Sequence, residues 1–89
     1  MNAETGDTLN AYIAELKTAD QESDQSFHAL LSKGILFFNL SDEQIAHEFD
    51  VSRPTVTRWK SGSNAPHPAM RKHVYAWLEQ VTAQNRDQT

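Results

Sequence analysis

The basic residues of this chain are concentrated in one stretch, 51-VSRPTVTRWKSG-62, which carries Arg53, Arg58 and Lys60. Guanidinium and ammonium groups bind phosphate oxygens, and an arginine can donate two hydrogen bonds to one guanine base. Residues 1–50 contain ten acidic residues against two lysines, whereas residues 51–89 contain six lysines and arginines against two acids. A cationic segment in a chain of net charge −4 predicts a surface that contacts a polyanion.

A capping box marks the first of two short helices around this stretch. The residues 41-SDEQ-44 match the S-x-x-Q pattern, in which the serine and glutamine side chains each accept a hydrogen bond from the other's backbone N–H. Two acids in the first turn also suit the positive end of the helix dipole. Ile45 and Phe49 then lie on one face, and residues 50–51 form a turn.

The second helix begins after Ser52, a preferred N-cap residue, and accepts Pro54 because N–H groups in the first turn lack helical partners. Val56 and Trp59, three residues apart, predict its buried side, and Gly62 predicts its end. Two helices joined by so few residues form a helix-turn-helix. The face of the second helix opposite Val56 and Trp59 is then exposed.

The exposed face of the second helix is predicted to contact DNA bases. An α-helix fits the major groove, where arginine binds guanine and the carbons of threonine or proline contact the thymine methyl group. The residues expected to contact bases are Arg53, Pro54, Thr57 and Arg58. The residues expected to contact the DNA backbone are Ser52, Lys60, Ser61, Arg71 and Lys72.

The run 41-SDEQIAHEFDVSRPTVTRWKSGSNAP-66 resembles the helix-turn-helix of the phage-repressor-like (Xre/Cro) family of transcription regulators. The residues that carry this resemblance are Ile45, Ala46, Val51, Ser52, Val56, Trp59, Gly62 and Pro66. The resemblance implies a small all-α fold, a second helix inserted into the major groove, and action as a homodimer. Two positions depart from the family pattern: Asp42 stands where glutamine is frequent, and Asp50 where the turn usually has glycine.

The remaining apolar residues recur at helical spacing and predict an all-α domain of four or five helices. The stripes are Leu9, Tyr12, Ile13 and Leu16, then Phe27, Leu30 and Leu31, and finally Met70, Val74, Trp77, Leu78 and Val81. Asp7 or Thr8 is expected to cap the first helix, and Gly34 to end the second. The apolar run 35–40 fits either a short buried strand or further helix, and in both cases we expect it in the core.

These stripes divide the chain into an N-terminal helix with an acidic linker (1–22), a helix-turn-helix domain (23–82) and a polar tail that frays (83–89). Two surfaces are candidates for a homodimer contact. One is the stripe from Leu9 to Leu16, and the other is Tyr75 with Trp77, because both aromatic rings cannot face one narrow stripe. The main alternative to a DNA-binding regulator is a protein-interaction module with the same motif, such as an antitoxin or a phage packaging subunit.

Other classes of protein are disfavoured by composition and spacing. The chain has no cysteine, which is typical of a reducing cytoplasm, and its longest apolar run, 35–38, is far below the ~20 residues of a membrane span. The N-terminus lacks a signal-peptide pattern. The four histidines lack metal-ligand spacing, and there is no nucleophile elbow or glycine-rich phosphate loop. We therefore expect a cytoplasmic protein without enzymatic activity, metal or cofactor.

Overall fold

A computed structural model describes residues 2–87, with side chains from Asp7 onward, and all regular structure in this range is helical. The helices are α1 (Asn2–Thr18), α2 (Asp24–Phe38), α3 (Asp42–Phe49), α4 (Arg53–Ser61) and α5 (Pro68–Asp87). Among the described residues, no helix combines the length and the apolar character needed to cross a membrane. The prediction of a small all-α domain with four or five helices is confirmed.

Serine residues cap the starts of α2, α3 and α4. Ser23, Ser41 and Ser52 have extended backbones, and each hydroxyl accepts a hydrogen bond from the N–H three residues later. The predicted capping box is complete, since Gln44 Oε1 lies 2.8 Å from Ser41 N and Gln44 N lies 3.0 Å from Ser41 Oγ. These local contacts place α3 and α4 where the sequence predicted them.

The same three helices end at residues with a left-handed backbone, with φ values of 52° at Asn39, 53° at Asp50 and 80° at Gly62. Asparagine and aspartate adopt this conformation more readily than other non-glycine residues, because their short polar side chains bond locally. The Asp50 N–H turns back onto the carbonyls of Ala46 and His47. Asp50 therefore makes the sharp turn between α3 and α4 without a glycine.

One apolar core joins all five helices. Its fully buried side chains include Tyr12, Phe27, Leu31, Ile45, Val56, Val74 and Leu78. Burial of one such side chain contributes ~1.5–3 kcal/mol, so each helix is held mainly by the face that it turns inward. Helix α1 packs along α5 and adds Tyr12 and Leu16 to this core. It therefore shares one apolar core with the helices of residues 23–82.

Two predicted helix boundaries in the N-terminal half were wrong. Helix α1 begins at Asn2, so Asp7 and Thr8 lie inside it and do not cap it. Gly34 is buried within α2 rather than ending it. A Cβ atom there would lie 2.6 Å from the Tyr12 hydroxyl oxygen and 2.9 Å from Leu78 Cδ2. Glycine is needed at this position because α1 and α5 approach the backbone of α2 too closely for a side chain.

The apolar run 35–40 and the polar C-terminal run also differ from their predicted structures. The run 35–40 continues α2 to Phe38, and Leu40 is buried, but the side chain of Leu36 is 83% exposed. The run is therefore only partly core. At the other end, α5 continues to Asp87, and Thr82 is fully buried with its hydroxyl donating to a carbonyl of the same helix. The polar tail is thus helical as far as residue 87, and residues 88–89 lie outside the described part.

Candidate nucleic-acid interface

The helix-turn-helix is held rigidly by its buried side. Helices α3 and α4 pack together, and α4 also packs against α2. Val56 is fully buried, and Trp59 is 2% exposed with its ring edge-on to Phe27 at 5.9 Å. His28 Nδ1 lies 3.3 Å from the Trp59 carbonyl oxygen, which adds a polar contact between α2 and α4. The core role predicted for Val56 and Trp59 is confirmed, and the opposite face of α4 points outward.

The structure brings the four predicted base-contacting residues together on that outward face. Arg53, Pro54, Thr57 and Arg58 are all exposed. Among the side chains of residues 7–87 neither arginine has an ion-pair partner, so both guanidinium groups remain available to an external anion. The single proton of the Thr57 hydroxyl lies between two acceptors, the Arg53 carbonyl oxygen at 3.1 Å and Asp42 Oδ2 at 3.3 Å.

Ser52 and Ser61, two of the predicted backbone contacts, are exposed but already bonded. The Ser52 hydroxyl lies 3.2 Å from Thr55 N and 2.8 Å from Thr55 Oγ1. Because Pro54 has no N–H, the start of α4 offers fewer free donors to phosphate than expected. The Ser61 hydroxyl donates to the Arg58 carbonyl at 3.1 Å. Lys72, by contrast, is exposed and forms no ion pair with any described residue.

Arg71 was predicted to contact the DNA backbone, and this prediction was wrong. Its side chain is buried, with Nε 2.7 Å from the Pro66 carbonyl oxygen and Nη1 2.8 Å from the Gln21 carbonyl oxygen, and Nη2 forms an ion pair with Asp24. It therefore joins α5 to the α1–α2 connection and to the loop after α4. The sequence contains a signal for this burial, because Arg71 lies three positions before Val74 and therefore on the same buried stripe of α5.

Lys60 forms an ion pair with Asp42, in the first turn of α3. Its Nζ lies 2.6 Å from Asp42 Oδ1, and Asp42 Oδ2 lies 3.3 Å from the Thr57 hydroxyl. The hydrogen bond from Lys60 lowers the pKa of the Asp42 carboxyl below its usual 3.8, helped by Thr57 and by the charge of Arg53. No spacing rule predicts this pair, because 18 positions separate the two residues.

The two predicted dimer surfaces are largely unavailable. Leu9, Tyr12 and Leu16 are buried against α5, and Tyr75 is 2% exposed. Trp77 is half-buried, and it packs edge-on against Phe49 with ring centroids 5.5 Å apart. These two rings line a groove of about 600 Å³ between the end of α3 and α5, and the acids Glu48 and Asp50 stand at its rim. Among the side chains of residues 7–87, the large apolar ones that are exposed are Leu36 and Phe37.

The described residues contain no group of three or more His, Cys, Asp or Glu side chains placed to hold a metal ion. The candidate site is an exposed polar surface on α4 that carries Arg53, Thr57 and Arg58. Such a surface suits contact with a macromolecule rather than enclosure of a small ligand. Comparisons of the chain with known protein families, with curated proteins and with solved structures give no match.

Proposed function

We propose that this chain is a cytoplasmic, non-enzymatic protein that binds double-stranded DNA at specific sequences and regulates transcription as a homodimer. The observation that carries the proposal is the division of α4 into two faces. Val56 and Trp59 fix it in the core, while Arg53, Thr57 and Arg58 project outward. Helix α4 has nine residues and is therefore about 13 Å long, a length that fits the major groove.

The charge distribution also supports DNA as the partner. Arg53, Arg58 and Lys72 are cations without an ion pair in the described range, and they lie in or next to the motif. The net charge of −4 opposes attachment to polyanions through the rest of the surface. Binding would then depend on the α4 face, where Arg53 and Arg58 can donate paired hydrogen bonds to guanine.

A second copy of the chain is the proposed partner on DNA. One recognition module buries only ~600–1,000 Å² of protein surface, which rarely distinguishes one site in a genome, and a dimer doubles the contacts. We place the dimer contact at the C-terminal end of α2, where Leu36 is 83% and Phe37 39% exposed. Phe37 is also held in place there, edge-on to the Tyr12 ring at 5.3 Å. Two large apolar side chains exposed side by side would lose contact with water in a dimer.

Selection of binding sites from random duplexes tests the proposal, followed by titration of the selected site at several salt concentrations. Two or three phosphates neutralised by each protomer predict a slope of log affinity against log salt of about −4 to −5 for a dimer. Arg58→Ala is expected to cost ~1–3 kcal/mol at one base position and to relax preference there. Its thermal stability should not change, because the Arg58 side chain is exposed.

The absence of DNA binding in these experiments would change the proposed function. If no sequence is enriched and the slope is near zero, DNA is not the partner of α4. The same helix-turn-helix would then serve a protein-interaction module, such as an antitoxin or a phage packaging subunit. In that case Leu36 and Phe37 become the first residues to test for partner contact.

A further inference from the structure

The side chain of Asp42, in the first turn of α3, lies against the C-terminal half of α4. One carboxylate oxygen is 2.6 Å from Lys60 Nζ, and the other is 3.3 Å from the Thr57 hydroxyl. A DNA phosphate offers the same arrangement, two anionic oxygens that accept from an ammonium group and a hydroxyl. The carboxylate therefore stands where a phosphate would bind to this edge of α4.

We propose that Asp42 is an internal competitor of DNA: its carboxylate occupies Lys60 and Thr57, and it thereby weakens binding of the phosphate backbone at this edge of α4. The inference rests on the DNA-binding function proposed above and names a residue that sets the affinity of that site. Asp42 contacts no base in this scheme. It is a positioning residue that acts through Lys60 and Thr57.

The structure holds this carboxylate in place. Asp42 follows Ser41, whose hydroxyl and backbone N–H both bond to Gln44, so the first turn of α3 is fixed. The side chains of Lys60 and Asp42 are 38% and 29% exposed, so water and salt reach the pair only in part. Pairing cancels the charge of Lys60. Because the same pairing also cancels the charge of Asp42, an approaching phosphate gains little attraction at this edge.

The test compares Asp42→Asn with Glu43→Gln, because each removes one negative charge from the first turn of α3. Glu43 is exposed and forms no ion pair with the described residues, so it is the matched control. On a random-sequence duplex at physiological salt, Asp42→Asn is expected to tighten binding about two- to tenfold. It should also steepen the salt slope by about 0.9 for each phosphate gained, whereas Glu43→Gln leaves the slope unchanged.

Lys60→Ala, made alone and together with Asp42→Asn, completes a double-mutant cycle. In the wild-type background it should not reduce the salt slope, because Asp42 already occupies the ammonium group, and it should weaken binding only through the Asp42 carboxylate that it leaves unpaired. In the Asp42→Asn background it should abolish the whole gain in DNA affinity that Asp42→Asn produces. That pattern assigns the effect to the released lysine rather than to overall charge. Circular dichroism of each variant confirms that the helices are intact before affinities are compared.

Three results would overturn the inference. If Asp42→Asn and Glu43→Gln tighten binding equally, the effect is general charge. If Lys60→Ala in the wild type lowers the slope, Lys60 already binds phosphate and Asp42 does not hold it. Either result leaves the proposed DNA binding standing. If neither the wild type nor Asp42→Asn binds any duplex at low salt, the DNA-binding function fails as well, and the two failures are thus distinguished.

Discussion

Arg71 and Lys72 are neighbours in α5 with the same charge, and alanine at each position separates an internal role from an external one. The Arg71 side chain is 6% exposed and bonds to the carbonyls of Gln21 and Pro66 and to the carboxylate of Asp24. The Lys72 side chain is exposed and has no ion-pair partner among the side chains of residues 7–87. Arg71→Ala should therefore lower stability, and Lys72→Ala should lower DNA affinity.

The size of the Arg71 effect follows from its three contacts. A hydrogen bond to a charged group contributes about 1.5–3 kcal/mol, but truncation lets water reach carbonyls that are only partly covered. The ion pair adds at most about 1 kcal/mol, because the Asp24 side chain is 76% exposed. We expect Arg71→Ala to lower the free energy of unfolding by ~2–4 kcal/mol, a fall in melting temperature of about 10–20 °C for a domain of this size.

Urea unfolding and salt-dependent DNA binding measure the two roles separately. Lys72→Ala should stay within ~0.5 kcal/mol of the wild type and reduce the salt slope by about 0.9 per protomer. Arg71→Lys keeps the charge but loses the planar fork of donors, so it should remain clearly destabilised. A stable Arg71→Ala protein with a reduced salt slope would refute this account and return Arg71 to the DNA interface.

Three further predictions concern buried rings and one carboxylate. Tyr12→Phe should cost ~0.5–1.5 kcal/mol in urea unfolding because its hydroxyl donates to a carbonyl of α2, whereas Tyr75→Phe should be neutral or stabilising because its buried hydroxyl has no partner among the described residues. In Trp77→Phe, the remaining Trp59 should emit at short wavelength and resist quenching by acrylamide; red-shifted, readily quenched emission would contradict its burial. The lowered pKa of Asp42 means that its stabilising contribution is complete above pH 3.8 and is lost as pH falls below that value. Asp42→Asn should therefore lose less stability than the wild type on acidification below pH 3.8, and equal losses would contradict this.

Much of the fold was predictable because caps and apolar spacing act locally. Helices α3 and α4 begin and end at the predicted caps, which are Ser41 with Gln44, Ser52 and Gly62. Each of these capping contacts spans only a few residues. Gly34 shows the limit of such rules. Glycine commonly ends helices, and only the approach of Tyr12 from α1 explains why it stands inside α2.

The exposed face of α4 could be predicted from the sequence, but the internal ion pairs of Lys60 and Arg71 could not. The spacing of Val56 and Trp59 was enough to place Arg53 and Arg58 outward. Its residue type predicted that Arg71 would be a surface cation, but the side chain lies on the buried stripe of α5. The partner of Lys60 depends on how α3 crosses α4, which local sequence does not state.

Two of the five cations expected to contact DNA are paired inside the protein instead. A second copy of the chain is therefore more important for DNA binding. With Lys60 and Arg71 paired, one protomer offers few groups to phosphate, and DNA binding should depend strongly on dimerisation. Leu36→Glu tests this, because an exposed side chain can be changed at little cost to the fold. Gln25→Glu, also exposed on α2, is the control of equal charge.

Light scattering at micromolar concentration should show a dimer for the wild type and for Gln25→Glu, and a monomer for Leu36→Glu. The salt slope of Leu36→Glu should then fall to about −2, half the dimer value, because each phosphate neutralised contributes about −0.9. A wild type that stays monomeric on its best DNA site would refute the dimer. A Leu36→Glu protein that still dimerises would refute the choice of surface, and the groove beside Phe49 and Trp77 would be tested next.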